Sequence, residues 1–212
     1  MRYRLKRNRG VVLGACFGVW LAVCAAGAGV LMVYSNRPGP QGTPNPVPTG
    51  WPLADAVPLD GVRPTLVVFA HPRCPCTKAT LSQIERLQAS ARRGFAVRFA
   101  FYEPVGAGAD WRDTALWRRA AMMPDSLAVP DPGGGLALAC GAMTSGTVGL
   151  YGPDGAVRFW GGVTPSRGHE GESVGLAALR EILRGEDPGR RTADVFGCSI
   201  LGSCGVSNAG GA

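Results

Sequence analysis

An uncharged apolar run near the start of the chain most limits what this sequence can fold into. No Asp, Glu, Lys or Arg occurs from Val11 to Asn36. A helix rises about 1.5 Å per residue, so residues 11–34 would extend about 36 Å, enough to cross the hydrocarbon core of a bilayer. We therefore predict a single transmembrane anchor over residues 11–34.

The positive charge beside this run predicts its orientation. Five of the 22 Lys and Arg residues fall within the first ten positions, without an acidic residue among them. Residues 1–10 are therefore expected to stay in the cytoplasm, with the rest of the chain across the membrane. The other 17 basic residues nearly balance 15 acidic ones, and no basic stripe with interleaved aromatics occurs, so we expect no nucleic-acid partner.

Two other interpretations of the N-terminal segment remain open. An Ala-x-Ala-like site at Ala26 to Ala28 would suit a cleaved signal peptide, but the apolar run continues past it, which favours a retained anchor. Cys24 resembles a lipoprotein acylation site, although Val23 departs from the small residue that this pattern requires. All three interpretations place the remaining chain outside the cytoplasm.

The segment after the anchor is rich in proline. Residues 36–64 hold eight of the 17 prolines, a composition that disfavours helices and central strands and favours extended polyproline structure. We expect residues 35–61 to form a semi-rigid linker between the membrane and a globular domain.

Apolar patterns after the linker predict an α/β domain over residues 62–185. The run "TLVVFA" (65–70) is typical of a strand buried on both faces, and a helical pattern follows it from Thr77. Further patterns complete the order β-α-β-α-β-α-β-β-α, which ends in a hairpin over 147–162 and a helix closed by Gly185. Asp110 and Asp113 are candidate N-caps for the second helix of this order. This order predicts a mixed sheet between helices, with residues 186–212 as a cysteine-containing tail.

Two cysteines one residue apart stand where the first strand gives way to the first helix. Pro75 suits the first helical position, which makes Cys74 the N-cap residue, where the helix dipole favours a thiolate. Arg73, with His71 and Lys78, is expected to lower the pKa of Cys74 further. Cα atoms two residues apart lie at about 5.5–7 Å, which overlaps the disulfide range, so Cys74 and Cys76 can form a bond in a small, strained ring.

The stretch "VVFAHPRC" and the order of elements resemble the thioredoxin superfamily. The C-P-C motif, "GGVTPSRGHEG" (161–171) and "VFGC" (195–198) are similar to membrane-anchored bacterial proteins of the RedB type. The resemblance implies a three-layer α/β/α domain on the periplasmic side of a bacterial inner membrane. This sequence departs from the family pattern in two ways. The spacer between the two cysteines is one residue instead of two, and no proline precedes the strand that begins at Thr147.

The resemblance also implies which residues share a site. In a thioredoxin-like sheet the last strand runs parallel to the cysteine-bearing strand, so the loop with Arg167 and His169 should emerge at the same end as Cys74. His169 would serve as proton shuttle, thiolate partner or metal ligand, or it would simply be a solvated loop residue.

The cysteines of the tail leave three alternatives open. Cys198 and Cys204 would form a structural disulfide, a redox pair that exchanges with Cys74 and Cys76, or a set of metal ligands.

The leading functional hypothesis is an enzyme, a membrane-tethered thiol–disulfide oxidoreductase. Cys74 would attack a protein disulfide and Cys76 would resolve the mixed disulfide, with no cofactor beyond a membrane electron partner. The alternative is a copper-binding or copper-delivery protein that uses Cys74, Cys76 and His169, since thiolates select Cu(I). A third hypothesis is an idle scaffold whose cysteines react slowly.

Overall fold

The structure, a computed structural model, describes residues 2–40, 57–91 and 94–201. The chain divides into two units, Met1–Arg37 and Pro38–Ala212. The first unit is one long helix, α1 (Arg2–Ser35). Its Gly10–Ser35 portion is 26 residues long and contains an 18-residue stretch with a mean hydropathy of 2.2, so it could cross a membrane by length and composition, and a signal sequence would meet the same criteria.

A five-stranded mixed sheet forms the centre of the second unit, in the order β3-β2-β1-β4-β5. The first three strands are mutually parallel, whereas β4 runs antiparallel to β1 and β5 antiparallel to β4. The fifth strand therefore runs in the same direction as the first. The strands are β1 (Thr65–Ala70), β2 (Ala96–Glu103), β3 (Ser126–Pro132), β4 (Thr147–Tyr151) and β5 (Val157–Gly161).

Helices cover both faces of this sheet because β1 is apolar on both sides. Leu66 and Val68 belong to one buried cluster, and Val67 and Phe69 belong to another. The first cluster packs under α2, α3 and α5, and the second packs under α4. These helices are α2 (Pro75–Ser90), α3 (Ala115–Ala121), α4 (Gly135–Cys140) and α5 (Val174–Arg184). The predicted three-layer thioredoxin-like domain with a mixed sheet is confirmed.

The segment between β2 and β3 differs from its prediction as one helix capped by Asp110 or Asp113. It forms a short 3-10 helix, Ala109–Trp111, and then α3, whose N-cap is Thr114. The Thr114 hydroxyl accepts a hydrogen bond from the Trp117 N–H at 3.2 Å. The two aspartates are engaged elsewhere, because their carboxylates pair with the guanidinium groups of arginines.

Residues 191–193 of the predicted tail pack along the outer edge of the sheet. The Trp160 N–H of β5 donates to the Arg191 carbonyl at 2.9 Å, and the Ala193 N–H donates back to the Trp160 carbonyl at 3.2 Å. Further on, the Val195 carbonyl accepts from the Gly39 N–H at 2.8 Å, so the first linker residues also join the domain. Residues 41–56 lie outside the described residues, and the extended conformation expected there stays a prediction.

Candidate thiol site

The turn between β1 and α2 presents Cys74 at the start of a helix. Cys74 is the N-cap residue in an extended conformation, and Pro75 occupies the first turn, as predicted. The turn is closed because the Cys74 N–H donates to the His71 carbonyl at 3.2 Å, and the Thr77 hydroxyl donates to the same oxygen at 2.9 Å. The Cys74 sulfur makes no capping hydrogen bond to the backbone of this helix.

Three sulfur atoms meet at this turn. The Sγ atoms of Cys74, Cys76 and Cys198 all lie within 4.8 Å of one another. Cys74 and Cys198 are 3.8 Å apart, well beyond the ~2.05 Å of a disulfide bond, so they touch without being bonded. The side chains of Cys74 and Cys76 are buried, and Cys198 is half-buried.

The thiol of Cys76 is held in its protonated form. A hydrogen bond to Cys74 is the main cause that raises the pKa of Cys76 well above its usual range, and burial and the nearby charges of Cys74 and Cys198 raise it further. The Gly168 N–H opposes this shift. Because Cys76 resists ionisation, we expect Cys74 to carry the thiolate when one of these two sulfurs ionises.

His71 supplies a neutral ring rather than the positive charge that the sequence allowed. Burial lowers its pKa below the usual value, and Arg73 lowers it further, although Cys74 acts in the opposite direction. Its Nδ1 accepts from the Arg73 N–H at 3.2 Å, and its ring stacks on Tyr102 with the centroids 5.5 Å apart. His71 is therefore a packed, neutral part of the turn at pH 7.

The guanidinium of Arg73 contacts an aromatic ring and a carboxylate. Its guanidinium lies 4.2 Å from the centroid of the Trp111 ring and pairs with the carboxylate of Asp110. An ion pair reduces the field that a single cation would exert on a neighbouring thiol. The tuning of Cys74 by Arg73 stays a prediction, and the ion pair with Asp110 would weaken it.

The loop after β5 reaches the thiols, as its topology predicts. The Arg167 guanidinium donates to the Gly197 carbonyl, and the Gly168 N–H lies against Cys76. His169 is exposed, with its Nδ1 2.7 Å from the Arg167 carbonyl oxygen. Among the described residues, the group of potential metal-ligating side chains at this site consists of Cys74, Cys76 and Cys198, and His169 does not belong to it.

Ser145 belongs to the candidate site by its contacts, although the sequence did not single it out. Its hydroxyl accepts from the His71 N–H at 3.0 Å and lies 3.0 Å from the Thr77 hydroxyl. Its N–H donates to the Cys198 carbonyl at 2.8 Å. Ser145 thus links the cysteine turn to the tail. The only sequence signal was the missing proline in "TSGT".

Cys204 lies outside the described residues, so its pairing with Cys198 stays a prediction.

The strand order, the helical layers and a cysteine at a helix N-terminus define a thioredoxin-like domain. Two solved structures are similar in fold. A hypothetical protein of Sinorhizobium meliloti 1021 matches with a TM-score of 0.52 and 22% identity, over 81% of this chain and 99% of that one. An uncharacterized conserved protein of Geobacillus kaustophilus matches with a TM-score of 0.51 and 17% identity, over 81% and 94%. At these identities the likeness shows the fold alone.

A third similar structure is more distant. It is a secreted disulfide oxidoreductase of Mycobacterium tuberculosis, with a TM-score of 0.38 and 13% identity, over 60% of this chain and 84% of that one. This likeness is too remote to carry a functional argument. No family profile and no curated protein matches the sequence.

Proposed function

We propose that this protein is a membrane-tethered, extracytoplasmic thiol–disulfide oxidoreductase with Cys74 as nucleophile. The observation that carries the proposal is the position of the Cys74 sulfur, which sits at a helix N-terminus within contact distance of two further thiols. Thiolates at helix N-termini beside a second cysteine are the reactive kind, whereas isolated buried cysteines are inert.

The reaction exchanges two electrons between the protein and a protein disulfide. The Cys74 thiolate attacks one sulfur of the substrate disulfide, which forms a mixed disulfide and releases the other sulfur as a thiolate. Cys76 then loses its proton and attacks the Cys74 sulfur. This forms the Cys74–Cys76 bond and releases the second substrate thiolate. A membrane electron partner restores the dithiol, and the reverse sequence oxidises a substrate dithiol.

Loop residues assist the resolving step. Cys76 must lose a proton that its surroundings hold strongly, and the Gly168 N–H favours the charged form. We propose His169, the next residue, as the group that accepts this proton, since it is exposed on the same loop. Arg167 would hold the loop in place through its bond to Gly197.

The Gly10–Ser35 helix would serve as the anchor. A basic segment before it and an apolar span of 26 residues fit a single-pass protein of a bacterial inner membrane. The thioredoxin-like domain would then face the periplasm, where substrate disulfides form and persist.

Turnover of a disulfide substrate tests this function. The full chain in detergent micelles is expected to accelerate the reduction of insulin by dithiothreitol, and Cys74→Ser is expected to abolish the acceleration. Cys140→Ser is the matched control, because Cys140 is also buried but lies in the cluster under α4, and it should leave the rate unchanged. Equal rates for wild type and Cys74→Ser would contradict the proposal.

A second candidate function is Cu(I) binding, which the three clustered sulfurs favour. Three thiolates within 4.8 Å form a soft ligand set of the kind that selects Cu(I). The described geometry puts Cys198 where the sequence suggested His169. In a competition titration with a Cu(I) chelator, tight uptake of one copper that Cys198→Ser weakens and His169→Ala does not would support this set. No uptake beyond that of the Cys74→Ser variant would exclude it.

A further inference from the structure

We propose that Cys198 is a third redox-active cysteine, which the tail segment (residues 195–200) delivers to Cys74 as an internal substrate. The proposal rests on the proposed function and deepens it. It assigns a role to a thiol that lies 124 residues from Cys74 in sequence and 3.8 Å from it in space.

Backbone pairing places the tail segment across the site. The Ser145 N–H donates to the Cys198 carbonyl at 2.8 Å, and the Ile200 N–H donates to the Met143 carbonyl at 3.0 Å. Thr144 and Ser199 thereby form an antiparallel bridge. An extended peptide that adds to exposed backbone groups in this way is a common mode of protein–peptide recognition. A peptide substrate that brings a cysteine to Cys74 could use the same groups.

Side chains on both sides of Cys198 fix its position. Ile200 is fully buried in the cluster under α4, so it anchors the end of the tail segment. Gly197 lies so close to the backbone of Ser145 that a Cβ atom there would overlap the Ser145 carbonyl oxygen. The Arg167 guanidinium also donates to the Gly197 carbonyl. The sulfur of Cys198 is therefore held beside Cys74 by its neighbours.

The docked tail segment also restricts access to the nucleophile. Cys74 is only 1% exposed, and Cys198 contacts its sulfur directly. A substrate disulfide must come into direct contact with the Cys74 sulfur. The tail segment therefore has to move away from Cys74 before an external substrate can react. A Cys74–Cys198 bond would keep the site closed.

The exchange step balances without an outside oxidant. In the oxidised protein the Cys198 thiolate attacks Cys74 Sγ, the Cys74–Cys198 bond forms and the Cys74–Cys76 bond breaks. Cys76 leaves as a thiolate and takes up the proton that Cys198 released. No electrons enter or leave. The product relieves the small ring of the Cys-Pro-Cys disulfide, since Cys198 approaches from a separate segment.

Disulfide mapping of the full chain in detergent tests the proposal. Trypsin cleavage after Arg73, Lys78 and Arg191 puts Cys74 and Cys76 in one peptide (74–78) and Cys198 in another (192–212). In a Cys204→Ser background, after oxidation with glutathione disulfide and alkylation, we expect these two peptides to be joined and Cys76 to be alkylated. The Cys76→Ser variant should keep the link, and Cys74→Ser should lose it.

A variant that keeps all three sulfurs separates docking from chemistry. Gly197→Ala should displace the tail segment, so the yield of linked peptides falls and Cys74 is alkylated about tenfold faster in the reduced protein, as the loss of one to two net hydrogen bonds implies. Cys140→Ser should change neither quantity.

The outcomes also distinguish a failure of this proposal from a failure of the proposed oxidoreductase function on which it rests. If oxidation yields only the Cys74–Cys76 disulfide, with Cys198 alkylated, and Cys198→Ser turns over insulin normally, Cys198 has no redox role but the oxidoreductase stands. If wild type forms no disulfide among the three cysteines and does not accelerate insulin reduction, both proposals fail.

Discussion

Replacing Ser145 by alanine tests whether this side chain organises the cysteine turn. Ser145 is fully buried, and its hydroxyl is the acceptor for the His71 N–H at 3.0 Å. Thr77 already donates to the His71 carbonyl, so the Ser145 hydroxyl hydrogen is directed to the Thr77 oxygen. The alanine variant leaves the His71 N–H buried without this acceptor.

The expected cost follows from that single orphaned donor. A buried polar group that loses its partner costs about 1–3 kcal/mol, so we expect the free energy of unfolding to fall by about 2 kcal/mol. The Thr77 hydroxyl keeps its own acceptor and adds little. Because the same turn carries Cys74, the variant should also alkylate faster at that residue.

Urea unfolding of the full chain in detergent, followed by near-ultraviolet circular dichroism, measures this cost. Ser90→Ala is the matched control, because Ser90 is exposed and its hydroxyl, among the described residues, donates to the Leu87 carbonyl within its own helix. Its effect should stay within about 0.5 kcal/mol. If Ser145→Ala is no more destabilising than Ser90→Ala, the serine does not hold the turn together.

Three further predictions concern the tail and the pH dependence of stability. Gly161→Ala should lower the melting temperature and expose Cys198 to alkylation, because Gly161 has a φ of 150° and a Cβ atom there would collide with the Ala193 backbone. An unchanged melting temperature would refute the importance of this contact. The free energy of unfolding should fall as the pH rises above about 9, because the Cys76 thiol ionises near 9.0 in the unfolded chain, whereas its hydrogen bond to Cys74 and its burial keep it protonated in the folded protein. In urea titrations, Cys76→Ala should flatten this decline. The free energy of unfolding should also fall as the pH drops below about 6.5, because His71 takes up a proton in the unfolded chain, whereas burial lowers its pKa in the folded protein. Equal free energies of unfolding at pH 5 and pH 7 would contradict this prediction.

Local sequence signals predicted the elements that carry the site. The unbroken apolar run of β1 and the proline after Cys74 have short-range causes, namely burial on both faces and a ring that suits the first helical turn. Gly185 likewise ends α5 in the left-handed conformation, with a φ of 82°. Such positions depend on neighbours in sequence, so they can be inferred without the fold.

Long-range contacts explain what the sequence did not reveal. The bond from Ser145 to Cys198 joins backbone groups, which every residue type possesses, so no residue pattern marks it. The neutral state of His71 follows from burial by Tyr102 and Trp111, which lie in distant segments. His169 is a candidate from the sequence because strand directions place its loop at the same end of the sheet as Cys74, but strand directions do not orient the side chains of a loop.

Redox titration of the full chain tests the central claim most directly. The protein is equilibrated in glutathione buffers of graded ratio, quenched with acid, alkylated and weighed by mass spectrometry. We predict a single two-electron transition between the reduced form and a form with one disulfide at Cys74, absent from Cys74→Ser and intact in Cys140→Ser. Retention of all three thiols across the whole range of buffers, or the same transition in Cys74→Ser, would show that this site is not a redox centre.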